Sequence, residues 1–357
     1  MKRLINKLEN YPIGICGTSL AFITLSNSWA FIGINFLKPL AIIFSIIALI
    51  LMLLRVILFP KIIWQELKNP VLGTFYPTID MSCFLISAYF LNIAPNFSRA
   101  LWIICVITHG TLFLLFCIFR LRDFSIKNMV PSWFVVLVGV VVGSASSSNM
   151  GYTKFAQYLF YFGLFWYIVV WPIMVYRIFR CEAIEENKLP TIGVMAAPAS
   201  LCIVGYLTAF KNPNNVILTF LVITSLFNLF LVYSYISKFI KKGFSPTYAA
   251  LTFPLAISVL AMYKFSAYLN NIGIFGSEFF KIIGHIEILI ATYVIFYVII
   301  NFIKLFLKAI NVIGGKDLEK QEGLLQETIL EESLPDDVVE EKLEKLNNKK
   351  VIKRKNI

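Results

Sequence analysis

Ten long apolar stretches follow one another along the chain, and they restrict it to folds that a lipid bilayer supports. Each is close to the roughly 20 residues that a helix needs to cross the hydrocarbon core. Hydrophobic residues make up 59% of the 357 positions and charged residues 15%, whereas a soluble domain is about one-quarter charged. The stretches are 12–30, 38–59, 77–93, 98–120, 130–147, 154–176, 190–209, 215–237, 247–267 and 281–308. The sequence therefore predicts an all-α integral membrane protein with ten transmembrane helices.

Lysine and arginine residues alternate strongly between the two sides of these stretches. Fifteen precede the first stretch or follow stretches two, four, six and eight, and six lie on the other side. The six are Lys38, Arg99, Lys154, Lys211, Lys264 and Lys281. Because loops rich in Lys and Arg stay inside, we expect a multi-pass protein of the plasma membrane with both termini in the cytoplasm. This bias accounts for most of the net charge of +12, so no nucleic-acid partner is expected.

The odd-numbered stretches differ from the even-numbered ones in residue size. Gly, Ala, Ser and Thr fill 38 of 95 positions in the odd stretches and 18 of 119 in the even ones. Small residues allow close helix packing or leave open volume along an axis. The odd stretches also contain or begin with prolines, which we expect to kink helices around a pore. These prolines are Pro12, Pro77, Pro131, Pro198 and Pro254.

A proline about every 60 residues indicates a helical hairpin repeated five times. We expect the five hairpins to surround a central pore, with odd helices inside and even helices outside. The alternative is a bundle with closely packed interfaces and no pore.

One large ring stands out in the ninth stretch, at Leu251-Thr252-Phe253-Pro254-Leu255. Helical neighbours three or four positions from Phe253 are mostly small, so the ring is a candidate gate. The alternative is core packing, which we expect of most of the 33 phenylalanines. The predicted pore lining is Gly14, Gly17, Gly139, Gly143, Ala249, Ala250 and Ala256.

Two ionisable residues lie within the odd stretches, and such residues are functional candidates because burying them is unfavourable. Lys264 and Asp80 are possible charges at the mouths of the pore. Alternatively, Lys264 anchors the helix at the interface, and Asp80 pairs with a basic residue at the inner surface. His109 and His285 lie in even stretches, where we expect contacts between helices or subunits.

The sequence contains no motif for a metal, a cofactor or catalysis. It has no HExxH, no P-loop and no Rossmann glycine pattern, so neither a cofactor nor an enzymatic activity is expected. Residues 1–312 form the predicted channel domain, and 313–357 a charged cytoplasmic tail. That tail is either solvated or a regulatory element whose basic end contacts anionic headgroups.

Four segments carry a resemblance to a known family: YPIGICGTSLAF, VPSWFVVLVGVVVGSAS, LPTIGVMAAPASLCIVGYL and FSPTYAALTFPLAISVLAMYKFS. They resemble the tellurite-resistance/dicarboxylate transporter (TDT) family, which includes bacterial TehA and the plant guard-cell slow anion channels. The similarity covers about residues 11–309. It implies five hairpins around a pore, a homotrimer, and a blocking phenylalanine before a proline on the ninth helix, which corresponds to Phe253.

From these features we expect a passive channel for small monovalent anions such as nitrate or chloride. One alternative is a proton-coupled carrier for C4-dicarboxylates such as malate, or a tellurite-related transporter. Another is a membrane scaffold that acts through its tail. The expected partners are the lipid bilayer, inorganic or small organic anions, and further copies of the chain.

Overall fold

The protein is described here by a computed structural model, which covers residues 6–122, 124–240 and 244–309. These residues form helices and no strand. The predicted cytoplasmic tail, 313–357, lies outside the described residues.

Twelve α-helices run through the described residues. They are α1 (Gly14–Phe31), α2 (Leu37–Leu58), α3 (Pro60–Lys68), α4 (Thr78–Phe90), α5 (Pro95–Arg122), α6 (Trp133–Val138), α7 (Val141–Ala145), α8 (Thr153–Arg180), α9 (Ala197–Ala209), α10 (Asn215–Ile240), α11 (Thr252–Asn271) and α12 (Ser277–Ala309). Short 3-10 helices cover Asn6–Asn10, Leu72–Phe75, Ile126–Asn128, Leu189–Ala196 and Pro246–Leu251.

By length and composition, seven helices of the described chain can cross a membrane. An eighth is the bent pair Pro60–Lys68 and Leu72–Phe90, whose axes differ by 106°. The first and fifth predicted stretches do not meet these criteria. Helix α1 is long enough at 18 residues, but its Ser, Thr and Asn side chains lower its hydropathy. The fifth stretch is divided into α6 and α7.

The five prolines lie where helices begin rather than in the middle of long helices. Pro12 and Pro131 precede α1 and α6, Pro77 directly precedes α4, and Pro198 and Pro254 are in the first turns of α9 and α11. A 3-10 helix comes before each of these five α-helices. Proline is tolerated in a first turn because its missing N–H would have no intrahelical partner there.

The segments of the odd stretches contact one another in a closed order. Helix α1 packs against α4, α4 against α7, α7 against α9, α9 against α11, and α11 against α1. The burial of the segment that contains α11 agrees with an inner position. In the 18-residue apolar core of Pro246–Asn271, 94% of the residues are buried, against 22% in that of Pro95–Arg122.

Three buried arginines lie near the ends of outer helices α2, α5 and α8 and bind backbone carbonyls. Arg55 Nε donates to Glu9 O at 2.9 Å, and Arg177 Nε donates to Ile126 O at 2.9 Å. Arg120 donates to the last carbonyl of α3. Each arginine therefore joins the end of an outer helix to the segment that leads into the preceding inner helix.

Candidate functional site

The closed order of helices surrounds two cavities that lie one beyond the other. The first cavity lies where α4, α6, α9 and α11 begin, and it is narrow, with a volume of about 30 Å³. Thr78 is the one hydrogen-bonding side chain of its described lining, which has no charged residue. The lining includes Gly17, Thr78, Val138, Ala197, Ala250 and Phe253.

The second cavity lies toward the ends of the inner helices α1, α4, α7, α9 and α11, and it is larger, with a volume of about 310 Å³. Its described lining carries two positive charges and no acidic residue. The lining includes Thr24, Asn27, Lys38, Val142, Val204 and Lys264.

In the described part of the chain, Phe253 and Leu201 are the two residues that line both cavities. Their side chains belong to neighbouring inner helices, α11 and α9, and they are 7% and 2% exposed. The first and second cavities therefore meet at an apolar pair of side chains.

The local fold of the chain explains where Phe253 lies. Helix α11 begins only at Thr252, and the Thr252 hydroxyl donates to Ala249 O at 2.7 Å across the junction with the 3-10 helix. Gly193, before α9, allows the neighbouring segment to come close. A Cβ atom at Gly193 would be only 2.4 Å from Leu251 Cδ2. Phe253 thus sits in the first turn of a helix whose start is tightly packed.

The structure places the seven predicted lining residues in two groups. Four line the first cavity, namely Gly17, Gly139, Ala249 and Ala250. Three are absent from the lining of both cavities, namely Gly14, Gly143 and Ala256. Those three are buried between helices. A Cβ atom on Gly14 would lie 3.0 Å from Ala249 Cβ, and one on Gly143 would lie 2.8 Å from Leu159 Cδ1.

Lys264 lines the second cavity, and its ammonium group is held by a neighbouring helix. Lys264 Nζ donates to Thr208 Oγ1 at 2.6 Å. Lys38 lines the same cavity, although the sequence interpretation treated it only as a loop charge. The short connection between α1 and α2 brings Lys38 over the ends of the inner helices, and no local sequence signal indicates this.

Asp80 lines neither cavity and is paired inside the protein. Its Oδ1 lies 2.7 Å from Nδ1 of His109 on α5, and both side chains are buried. The sequence offers two interpretations of Asp80, a charge at a mouth of the pore or the partner of a basic residue at the inner surface. The structure instead gives it His109 as its partner and places it outside the lining of both cavities. The pair instead joins α4 to the middle of an outer helix.

His109 also explains why the fifth stretch is broken. Its Nε2 lies 3.1 Å from Val136 O, a carbonyl that a continuous helix would use to bind the N–H of Val140. An inserted side chain is a common cause of such a break. Since a carbonyl only accepts hydrogen bonds, Nε2 of His109 is the donor to Val136 O.

Two further titratable side chains lie on α12 near its contact with α11, the exposed His285 and the buried Glu287. His285 Nδ1 is 3.0 Å from the Tyr263 hydroxyl, which makes it a contact between helices of one chain. Glu287 is buried, and neither carboxylate oxygen has a hydrogen-bond partner among the described residues. Within those residues, no group of three His, Cys, Asp or Glu side chains is arranged to hold a metal ion.

Comparison with known proteins identifies the family. Residues 10–303 match the family described as "Voltage-dependent anion channel". The chain is 24% identical to the tellurite resistance protein TehA homolog of Haemophilus influenzae over 296 residues, which cover 79% of this chain and 88% of that protein. It is 23% identical to the guard cell S-type anion channel SLAC1 of Arabidopsis thaliana over 290 residues, covering 72% of this chain and 50% of that one.

Two uncharacterized transporters of Methanocaldococcus jannaschii are also similar. One is 27% identical over 173 residues, or 44% of this chain. The matches span about half the length of these two relatives, 50% and 52%. The family match nevertheless extends from residue 10 to residue 303, which includes all twelve described α-helices except the last residues of α12. The chain therefore belongs to the SLAC1/TehA family of multi-pass membrane transporters and channels.

Proposed function

We propose that this protein is a passive channel for small monovalent anions such as nitrate and chloride, with Phe253 as its gate. One observation carries the proposal: among the described residues, only Phe253 and Leu201 border both cavities. An ion that moves from one cavity to the other must pass this apolar pair. A narrow apolar constriction can exclude water and so close a pore without any charged side chain.

The first cavity has the properties of a weak selectivity filter for anions. Its described lining has no charge, and four inner helices begin around it. Helix N-termini carry partial positive charge, which favours an anion without binding it tightly. Because conduction requires that the ion can leave, this weak attraction suits a channel. Weakly hydrated monovalent anions lose the least hydration free energy when they enter such a cavity.

The architecture that we propose is ten membrane spans in five hairpins. The odd spans form the inner ring and the even spans lie outside, as the closed order of contacts supports. Residues 1–312 form the channel domain and 313–357 a cytoplasmic tail. The charge asymmetry supports cytoplasmic termini in the plasma membrane, and the family resemblance supports a homotrimer with a pore in each subunit.

A second candidate function is a proton-coupled carrier for dicarboxylates. Lys38 and Lys264 line one cavity, and two cations suit an anion with two carboxylates. The buried Asp80–His109 pair is a candidate proton site for such a carrier. Such a carrier would show anion flux that depends on a proton gradient, whereas the passive channel would not. A tellurite-related transporter would likewise need a pathway for an anion through the protein.

Anion flux into liposomes that contain only this protein tests the proposal. We expect Phe253→Ala to increase chloride and nitrate flux about 10- to 100-fold, which corresponds to removing about 1.4 to 2.8 kcal/mol of barrier. Phe253→Leu should give an intermediate increase. The matched control is Phe227→Ala, because Phe227 on α10 lines neither cavity and is 41% exposed.

Protein yield and oligomeric state should be the same in all variants. If Phe253→Ala assembles normally but conducts no better than wild type and Phe227→Ala, then Phe253 is a packing residue and the gate is elsewhere. If no variant supports anion flux, the channel itself is wrong.

A further inference from the structure

The second cavity contains hydrogen-bond donors that the described protein does not use. The ammonium group of Lys264 donates one hydrogen bond to Thr208, and its other two N–H groups are available to a ligand. Lys38 forms no side-chain hydrogen bond or ion pair among the described residues, and the amide of Asn27 has no hydrogen bond there either. The described lining of this cavity includes no acidic side chain. The donors therefore surround open space rather than a protein partner.

We infer that the second cavity is a binding site for a divalent oxyanion, such as sulfate. Two ammonium groups balance two negative charges, and an anion with several oxygens can accept bonds from Lys38, Lys264 and Asn27 together. Hydrogen bonds between charged partners are the strong ones. The inner helices α1, α7, α9 and α11 end on this side, where helix ends carry partial negative charge. The lysines offset that charge, so the attraction depends on them.

A divalent anion bound in the second cavity cannot pass on into the first cavity. Its described lining has no charge, and Thr78 is its one hydrogen-bonding side chain. A divalent anion is held by water far more strongly than a monovalent one, since its hydration grows steeply with charge. It would have to lose that water at Phe253 and Leu201 without replacement. A bound divalent anion therefore occupies the entrance and blocks the passage of monovalent anions.

Binding can be measured without conduction, by thermal unfolding of the purified full-length protein in detergent. Sodium sulfate should raise the melting temperature of wild type above that in sodium chloride of equal ionic strength. Sulfate also stabilises proteins nonspecifically, so the comparison is between variants. The double variant Lys38→Gln/Lys264→Gln should lose the extra stabilisation. The control Lys211→Gln/Lys281→Gln, which removes two exposed lysines outside the cavity, should keep it. Equal sulfate effects in all three proteins would overturn the binding site.

Blocking rests on the proposed channel function and is tested in planar bilayers with Phe253→Ala protein carrying chloride current. Sulfate should reduce the current when added to one side of the membrane and not when added to the other. In the Lys38→Gln/Lys264→Gln background the half-blocking concentration should rise about tenfold or more, where tenfold corresponds to about 1.4 kcal/mol. Sulfate that itself carries current would overturn the block.

The two experiments separate failure of the site from failure of the channel. Lysine-dependent stabilisation by sulfate with no anion current from any variant would leave the site in place and refute the channel. Anion current with no lysine-dependent effect of sulfate in either experiment would refute the site and leave the channel.

Discussion

The two cavities offer an ion opposite surroundings, although the same ring of helices encloses both. The first is the smaller and has no charge in its described lining, whereas the second carries Lys38 and Lys264. The first lies at helix starts, where the chain passes from 3-10 to α-helix, and the second lies toward helix ends. If the proposed function is right, the two ends of the ring have different roles: the second cavity attracts an anion, and the first, beyond Phe253 and Leu201, selects it.

Placing one negative charge in each cavity would test this difference most strongly. Thr78 lines the first cavity and Thr24 the second. In the Phe253→Ala background we expect Thr78→Asp to reduce chloride flux about 30-fold. A charge about 8 Å from the ion at an effective dielectric constant of about 20 contributes about 2 kcal/mol. Thr24→Asp should reduce flux much less, because two lysines line the same cavity.

Liposome flux, together with gel filtration to confirm assembly, measures both variants. Equal losses would mean that the two cavities do not differ electrostatically. A larger loss for Thr24→Asp would reverse the roles that we assign to them.

Leu201 should carry part of the barrier between the cavities. We expect Leu201→Ala to raise anion flux about fivefold on its own, which corresponds to about 1 kcal/mol of barrier, because Phe253 still closes most of the opening. Val204→Ala is the matched control, since Val204 lies on the same helix and lines only the second cavity. Single-channel or flux measurements that give Val204→Ala the same increase would show that the two cavities do not meet at Leu201.

The long apolar stretches were the most reliable part of the sequence interpretation. Each even stretch is a single long helix, because a bulky apolar surface facing lipid is a local property that can be read from neighbouring residues. The shorter inner segments are harder to predict. Helix α4 has only 13 residues, and the fifth stretch is interrupted where His109 binds Val136 O. These departures depend on contacts that no window of sequence contains.

The candidate site shows the same limit. Phe253 could be singled out from its own helix, since a proline and small residues adjoin it. The Asp80–His109 pair joins residues 29 positions apart, and Lys38 reaches the second cavity only through the turn after α1. Arg55 and Arg177 were counted only as charges that orient the protein, yet each also donates to backbone carbonyls. Their hydrogen bonds become visible only when the helices are packed together.

Asp80 lines neither cavity, so a purely structural role for it would confine anion selection to the residues that line the two cavities. We expect Asp80→Ala to lower the melting temperature in detergent without changing the chloride-to-nitrate preference. It would leave Nδ1 of buried His109 without its partner, which costs about 1 to 3 kcal/mol. Asp80→Asn keeps an oxygen at the same place and should lose less stability.

The dicarboxylate carrier makes a different prediction for the same variants. It requires that Asp80→Asn abolish any dependence of flux on pH while leaving the melting temperature near that of wild type. Flux that is independent of pH in wild type would remove the main support for that alternative.

The smallest effect that we expect concerns the contribution of Lys264 to anion entry. At low ionic strength, Lys264→Gln should reduce chloride flux through Phe253→Ala channels about twofold, since a unit charge about 8 Å away in water contributes about 0.5 kcal/mol. The difference should vanish near 1 M salt, where the screening length falls to about 3 Å. Lys281→Gln is the control, because Lys281 is exposed, pairs with Glu278 and lines neither cavity. A reduction that persists at high salt would mean that Lys264 acts through its bond to Thr208, by shaping the helix ends, and not through its charge.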